Sequence, residues 1–248
     1  MRCLTLANIL RDQEVKSYFI CRDHPHHIVE KLETEGHHVI LLPLAHEKTE
    51  ASLTDERGSY LSWLGASPEV DADETIRALQ TLCTKWLVVD HFAIDELWEK
   101  HVKQETNLKI MVIDGRATHN HDCDLLLDQT YDVRGESRWR NLVPAGCQLF
   151  LGPVYALLRP EFEQARKSSG YRDGNIRNIL IAFGGADDPN ATSIALEALS
   201  RLRSKFSIDV VLGPLNPHSR GLIEKYGCTE RINIWIAPEN ISELMGQA

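Results

Sequence analysis

Short runs of apolar residues alternate along the chain with longer stretches whose apolar positions recur at helical spacing. The apolar runs predict strands at Lys16–Cys21, His38–Leu42, Trp86–Asp90, Lys109–Asp114, Asp124–Leu127, Gln148–Leu151, Asn178–Phe183, Phe206–Leu212 and Ile232–Ile236. Val and Ile are frequent in them, and several are apolar at both parities, as parallel strands covered on both faces require. Helices are predicted at Met1–Arg11, His27–Glu35, Asp71–Thr84, Ile94–Gln104, Pro189–Arg203 and Pro217–Tyr226. Gly36 offers a C-terminal stop to the second of these. The fourth carries Asp95, Glu96 and Glu99 early and Lys100 and Lys103 late, matching the helix dipole. Alternating strand and helix means an α/β fold with parallel sheets.

The polar, glycine-bearing stretch Arg166–Asn175 separates a first domain, 1–165, from a shorter second one, 176–248. A doubly wound domain opens on a strand and a glycine-rich turn. This chain opens inside a helix pattern and ends at the start of another, NISELMGQA. The first domain is therefore expected to lack its opening strand, which in the common order is central, and the second to be incomplete.

Composition narrows the function classes. Of 248 residues, 43% are hydrophobic and 25% charged, enough for a sizeable core. Lys and Arg number 27 against 36 Asp and Glu, a net charge of −9 that argues against a nucleic-acid partner. No apolar run reaches membrane-span length, and MRCLTLANILRDQ is too polar for a secretory signal, so a cytoplasmic address is expected. The six cysteines are scattered without a C-x-x-C pair and read as free thiols.

Chemistry concentrates where strands end. In Ile181-Ala-Phe-Gly-Gly-Ala-Asp-Asp-Pro-Asn190 a strand runs into Gly184 and Gly185 ahead of a helix, a geometry that brings backbone N–H groups to a phosphate. A tight turn with Asp188 or Asn190 capping the helix explains the same residues. Asp90, His91 and Phe92 follow one strand and Asp114, Gly115 and Arg116 the next, at the edge where open parallel sheets bind ligands. Helix capping by Asp90 and a half-buried His91 are the plainer alternative. The run His119-Asn-His-Asp-Cys-Asp124 carries zinc-type donors, but no second cluster has matching spacing, and a loop feeding a strand accounts for it. The histidines at 24, 26 and 27 read as a polar loop. Gly152–Phe162, with Arg159, reads as packing at the domain crossover. No metal or cofactor is expected.

In order, MRCLTLA, FICRDH, VVDHF, IDG with HDCDLLLDQ, LGPVYALLRPEF, AFGGADDPN and IAPENISELM resemble the UDP-2,4-diacetamido-2,4,6-trideoxy-β-L-altropyranose hydrolases of pseudaminic acid biosynthesis. These are nucleotide-sugar hydrolases related to the peptidoglycan-precursor GlcNAc transferase. The resemblance implies a GT-B-like architecture of two Rossmann-like domains facing across a cleft, with UDP on the second and the sugar facing the first. It implies that water attacks the anomeric carbon without a metal or covalent intermediate, releasing UDP and free sugar.

The resemblance also assigns residues. Arg2 matches the arginine of a G-x-G-H-x-x-R opening whose general-base histidine lies two positions before Met1. The resemblance thus implies a chain cut at both ends and impaired as an enzyme. Asp90, His91, Phe92 and Asp114 fall on the sugar side. Gly184, Gly185 and Ala186 match the diphosphate turn, and Ile236 and Ala237 the place where backbone reads uracil. Phe92 stands for a tyrosine and Gly115 for the second aspartate of a paired I-D-D. A UDP-sugar glycosyltransferase or a non-catalytic UDP-sugar-binding remnant remain the alternatives.

Overall fold

The computed structural model describes residues 1–25, 27–45, 56–170, 172–202 and 206–248. His26 of the expected polar loop, Tyr171 of the expected linker and position 203 at the expected end of one helix lie outside them. The chain divides into two compact units, Met1–Leu157 and Leu158–Ala248.

The first unit runs α1 (Arg2–Asp12), β1 (Tyr18–Arg22), α2 (Val29–Thr34), β2 (His38–Leu42), α3 (Glu56–Leu64), α4 (Pro68–Gln80), β3 (Trp86–Val89), α5 (Glu96–Thr106), β4 (Lys109–Ile113), β5 (Leu125–Asp128) and β6 (Gln148–Leu151). The second contains α6 (Pro160–Ser168), β7 (Asn178–Ala182), α7 (Ala191–Ser200), β8 (Ser207–Leu212), α8 (Ser219–Tyr226), β9 (Ile232–Ile236) and α9 (Ile241–Gln247). Every expected strand is present within two residues at each end, and every ladder is parallel. Among the described residues no helix is long and apolar enough to cross a membrane.

In the first unit β1 pairs with β2, and β3-β4-β5-β6 form a separate ladder. Ile20 of β1 nevertheless packs against the core of the larger sheet, built on Ile110, Val112, Leu126, Val102 and Trp98. Arg22, at the end of β1, is buried and ion-paired to Asp71 and Glu74 of α4 at 2.6 and 2.7 Å, which ties the smaller ladder down. Fully buried Trp139 closes the core and donates its Nε1 to Asp128 at 3.0 Å.

Local chemistry sets the boundaries. α4 begins three residues before expectation because the Ser67 hydroxyl accepts the Val70 amide and Pro68 suits the first turn. α5 starts two residues later than expected, where Asp95 accepts the Leu97 amide, and ends at left-handed Asn107. Gly36, at φ +82°, ends α2 while the His37 amide reaches back to Leu32.

The second unit has the order β7-β8-β9 around Ile181, Leu196, Ile208, Val210, Leu212 and Leu222. The second unit begins at Leu158, ahead of the expected linker at 166–175, so α6 belongs to it. Its end meets α9, where the Ser169 hydroxyl donates to the carbonyls of Ala165 and Gly246.

Candidate functional site

In a parallel sheet all carboxyl ends share one edge, so β3 and β4 deliver Asp90 and Asp114 together. Arg2, in the first turn of α1, joins them. Its Nε and Nη2 meet the two Asp90 oxygens at 2.9 and 2.5 Å, a bidentate pair, and Nη2 lies 3.5 Å from the Ile113 carbonyl. The Cys3 thiol donates to Asp90 at 3.3 Å, and burial beside that carboxylate pushes its pKa up to about 12. Cys3 is therefore a neutral donor rather than a nucleophile.

His91 is held on both sides. Its Nδ1 accepts the Ala93 amide at 3.1 Å, and the ring also bonds the backbone of Trp63. Burial lowers its pKa below the ordinary histidine value, so the ring is neutral near pH 7. The structure gives His91 a positioning duty beside the sugar contact expected of it. Phe92 packs edge-on against Tyr60 of α3, at 5.2 Å between centroids. The Arg116 guanidinium covers both rings, 4.7 Å from Tyr60 and 5.6 Å from Phe92, and donates to the Tyr60 hydroxyl. Tyr60 thus brings a phenol next to the position where Phe92 lacks one.

Asp114 is buried, with 3% of its surface exposed. Its Oδ1 accepts the Arg116 amide at 2.8 Å, and its Oδ2 lies 3.4 Å from His121 Nε2. Burial alone would raise its pKa, but His121 and the Arg116 amide outweigh it and hold the carboxyl below the usual range. His121 Nδ1 meets fully buried Glu99 of α5 at 2.7 Å. Burial opposes the charged ring, yet Asp114 and Glu99 together push its pKa up to about 9.

Gly115 is glycine for a steric reason. A Cβ there would sit 2.9 Å from Thr130 Cγ2 and 3.2 Å from Asp128 Oδ1. Asp128 is itself engaged by Arg138 and Trp139, at 2.9 and 3.0 Å. The space that a second aspartate would need already borders a buried carboxylate.

In the second unit, Gly184 turns at φ +79° two residues beyond the end of β7, and among the described residues no acceptor takes the amides of Gly184, Gly185 or Ala186. The start of α7 differs from expectation. It begins at Ala191, not Pro189, and its first amides are not open to a phosphate. Asp187 accepts Ala191 N at 2.8 Å and Thr192 N at 3.1 Å, and Asn190 accepts Ser193 N. A carboxylate already fills the positive end of this helix. The available donors are those of the glycine turn. Asp187 takes the capping duty expected of Asp188, while Asn190 caps as the plainer alternative held.

Two further residues shape this rim. Gly213, just after β8, packs its α-carbon against Gly185, where a Cβ would meet the Gly185 oxygen at 1.9 Å. His218 Nε2 lies 3.1 Å from the Asp188 carbonyl and links the loops after β7 and β8. At the end of β9, Ile236 is 53% exposed. The Ala237 amide is engaged by the Leu212 carbonyl at 2.8 Å. Alternation along the strand turns the Ile236 backbone toward the open side of β9, an edge strand among the described residues.

Known proteins resemble the chain in sequence and in fold. No family model matches the chain. It is 31% identical to the UDP-2,4-diacetamido-2,4,6-trideoxy-β-L-altropyranose hydrolase of Campylobacter jejuni, over 65% of this chain and 56% of that protein. This chain is similar to a nucleotide-sugar hydrolase. It is also 24% identical to the spore coat polysaccharide biosynthesis protein SpsG of Bacillus subtilis, over 82% of this chain and 58% of the relative. An uncharacterized protein of Methanocaldococcus jannaschii, MJ1062, is 25% identical over 98% of this chain and 46% of its own length. The chain thus spans about half the length of the curated relatives it matches. The crystal structure of Acinetobacter baumannii MurG aligns with a TM-score of 0.57 at 10% identity, covering 100% of this chain and 67% of MurG. The fold is GT-B-like, built of two Rossmann-like units.

The sequence marks Asp90, Asp114 and the glycine pair by their places at strand ends. Of Tyr60, Glu99 and Gly213, two carry no signal of these roles. Gly213 alone has one, as a glycine directly after an apolar strand.

Proposed function

We propose that the chain carries the substrate-binding residues of a UDP-sugar hydrolase. The second unit holds UDP, and the strand ends of the first meet the sugar. The carrying observation is the turn Gly184-Gly185-Ala186, whose amides have no acceptor among the described residues at the carboxyl edge of a parallel sheet. The similarity to the Campylobacter hydrolase supplies the substrate class.

In this reading the diphosphate takes hydrogen bonds from that turn, and those donors stabilise the charge that grows on the leaving oxygen. The open edge of β9 at the Ile236 backbone reads the uracil ring, with the neighbouring Ala237 amide held by Leu212 instead. Arg2, Asp90, Phe92 and Asp114 line the sugar side, with His91 fixing the end of β3. Water adds its oxygen to the anomeric carbon and gives up a proton. The bond from that carbon to the β-phosphate oxygen breaks, and its electron pair leaves on UDP. Among this chain's own residues, the glycine turn is the one placed to stabilise the leaving group.

Calorimetric titration with UDP tests the binding step, with ADP as control. Saturable binding that favours UDP supports the reading. No heat with UDP up to about 1 mM, the range of weak specific ligands, overturns it. Incubation of the chain with UDP-2,4-diacetamido-2,4,6-trideoxy-β-L-altropyranose without an acceptor then separates the chemistry. Free sugar and UDP in equal amounts mark a hydrolase, whereas turnover only when an acceptor is added marks a glycosyltransferase.

A further inference from the structure

The cluster at the end of β4 joins Asp114 of the sugar side to two histidines that sugar binding does not use. One donor atom each from Asp114, His119 and His121 lies within 4.8 Å of the other two. The sequence holds two of them as His-x-His, and folding brings Asp114 from the end of the preceding strand. This is the second element that the local spacing lacks.

We propose that Asp114, His119 and His121 form a binding site for a divalent transition-metal cation of the zinc type.

Each imidazole has one nitrogen held by an acceptor, as metal-binding histidines do. The other nitrogen meets a local partner that a cation would displace, Asp114 for His121 Nε2 at 3.4 Å and the Thr118 hydroxyl for His119 Nδ1 at 3.1 Å. His121 Nδ1 is held by Glu99, which is fully buried and also accepts the Asp122 amide. His119 Nε2 is held by the Ile94 carbonyl at 3.0 Å. Asp114 is oriented by the Arg116 amide on one oxygen. Its other oxygen is 3.4 Å from His121 Nε2. That is long for a charge-assisted hydrogen bond. It is close to the edge of a tetrahedron with metal–ligand bonds of about 2.0–2.1 Å, which is about 3.3 Å. The rings of His119 and His121 are adjacent, 4.7 Å between centroids. Two imidazoles and one carboxylate suit zinc-type cations better than magnesium or calcium, which prefer all-oxygen sets. Three protein ligands leave a fourth position for water or another small ligand.

The site lies at the strand end that carries the sugar-side residues, but it does not depend on UDP recognition, so the two readings fail separately. The test uses the untagged chain, stripped with a chelator and titrated with ZnCl2, with CoCl2 as the spectroscopic probe. The expected result is one high-affinity Zn2+ per chain and intense visible bands of tetrahedral Co2+. Half-buried His119 is the ligand least embedded in the core. His119→Ala should weaken Zn2+ binding at least about tenfold with an unchanged far-UV circular dichroism spectrum. His119→Gln, which keeps a polar side chain, is the second variant should the first fail to fold. Glu99→Gln should weaken binding by about 10- to 100-fold, through His121 alone. Absence of the Co2+ bands in the unaltered chain, or equal Zn2+ affinity in the unaltered chain and a folded His119 variant, overturns the proposal. A UDP titration of the zinc-free chain, run in parallel, reports on the other reading by itself.

Discussion

The α-carbon of Gly213 lies against the carbonyl of Gly185, so close that a single added methyl would meet that oxygen at 1.9 Å. The contact links the ends of β7 and β8 and fixes the path of the turn that presents the Gly184–Ala186 amides. Gly213→Ala must therefore displace the turn. UDP affinity is expected to fall at least about tenfold, and overpacking to lower stability by about 1–3 kcal/mol. Calorimetric titration and urea melts measure the two effects. Unchanged UDP affinity in a folded variant removes the turn from the binding site.

Asp187 offers a pH-dependent reading of the same region. Its carboxylate accepts two amides at the start of α7. Burial alone would raise its pKa, but the bonds to Thr192 and Ala191 hold it below the usual aspartate value of 3.8. A carboxyl depressed in the folded state stabilises it above the unfolded pKa, and that contribution disappears as pH falls through the folded value. Asp187→Asn is expected to destabilise the chain by about 1 kcal/mol at neutral pH, the usual worth of a cap. The gap to the unaltered chain should narrow below about pH 4. Thermal melts from pH 7 to 3 check this, and a gap constant across that range contradicts it.

Gly115 stands where the resembled hydrolases carry an aspartate. Gly115→Asp places its Cβ 2.9 Å from Thr130 Cγ2 and adds a carboxylate near Asp128. A loss of about 2–3 kcal/mol is expected from crowding and like-charge burial. Chemical denaturation measures it. Neutral or improved stability shows that the loop after β4 relaxes freely.

Trp139 is fully buried, and its indole N–H bonds Asp128. Trp139→Ala should remove about 3–5 kcal/mol through the cavity alone. Trp139→Leu keeps much of the volume but leaves Asp128 with one donor fewer, so it should fall between the two. Denaturant midpoints rank the three proteins.

The strands were legible because their two-sided apolar runs have no alternative use in a chain of this composition. Parallel pairing followed from the same runs, and with it the shared edge holding Asp90 and Asp114. Helix starts were less legible. At α7 the sequence offers Pro189 as a first-turn residue, but the Asp187 carboxylate and Asn190 set the start at Ala191. That competition depends on backbone angles, with both residues left-handed at φ +50° and +55°. Long-range partners were invisible. Nothing adjacent to His121 announces Glu99, which is 22 residues earlier on α5. Phe92 gives no hint of Tyr60.

Every described ladder runs parallel, and within each unit the residues proposed to meet substrate, Arg2 of α1 aside, sit at the carboxyl ends of strands or in the loops that follow. The apolar interior lies below them and is indifferent to most of their identities. Exchange of those loops among relatives can therefore redirect what the molecule recognises while the scaffold keeps its melting behaviour. Variants that change ligand choice without changing cooperativity of unfolding are the natural raw material for new specificity in this architecture.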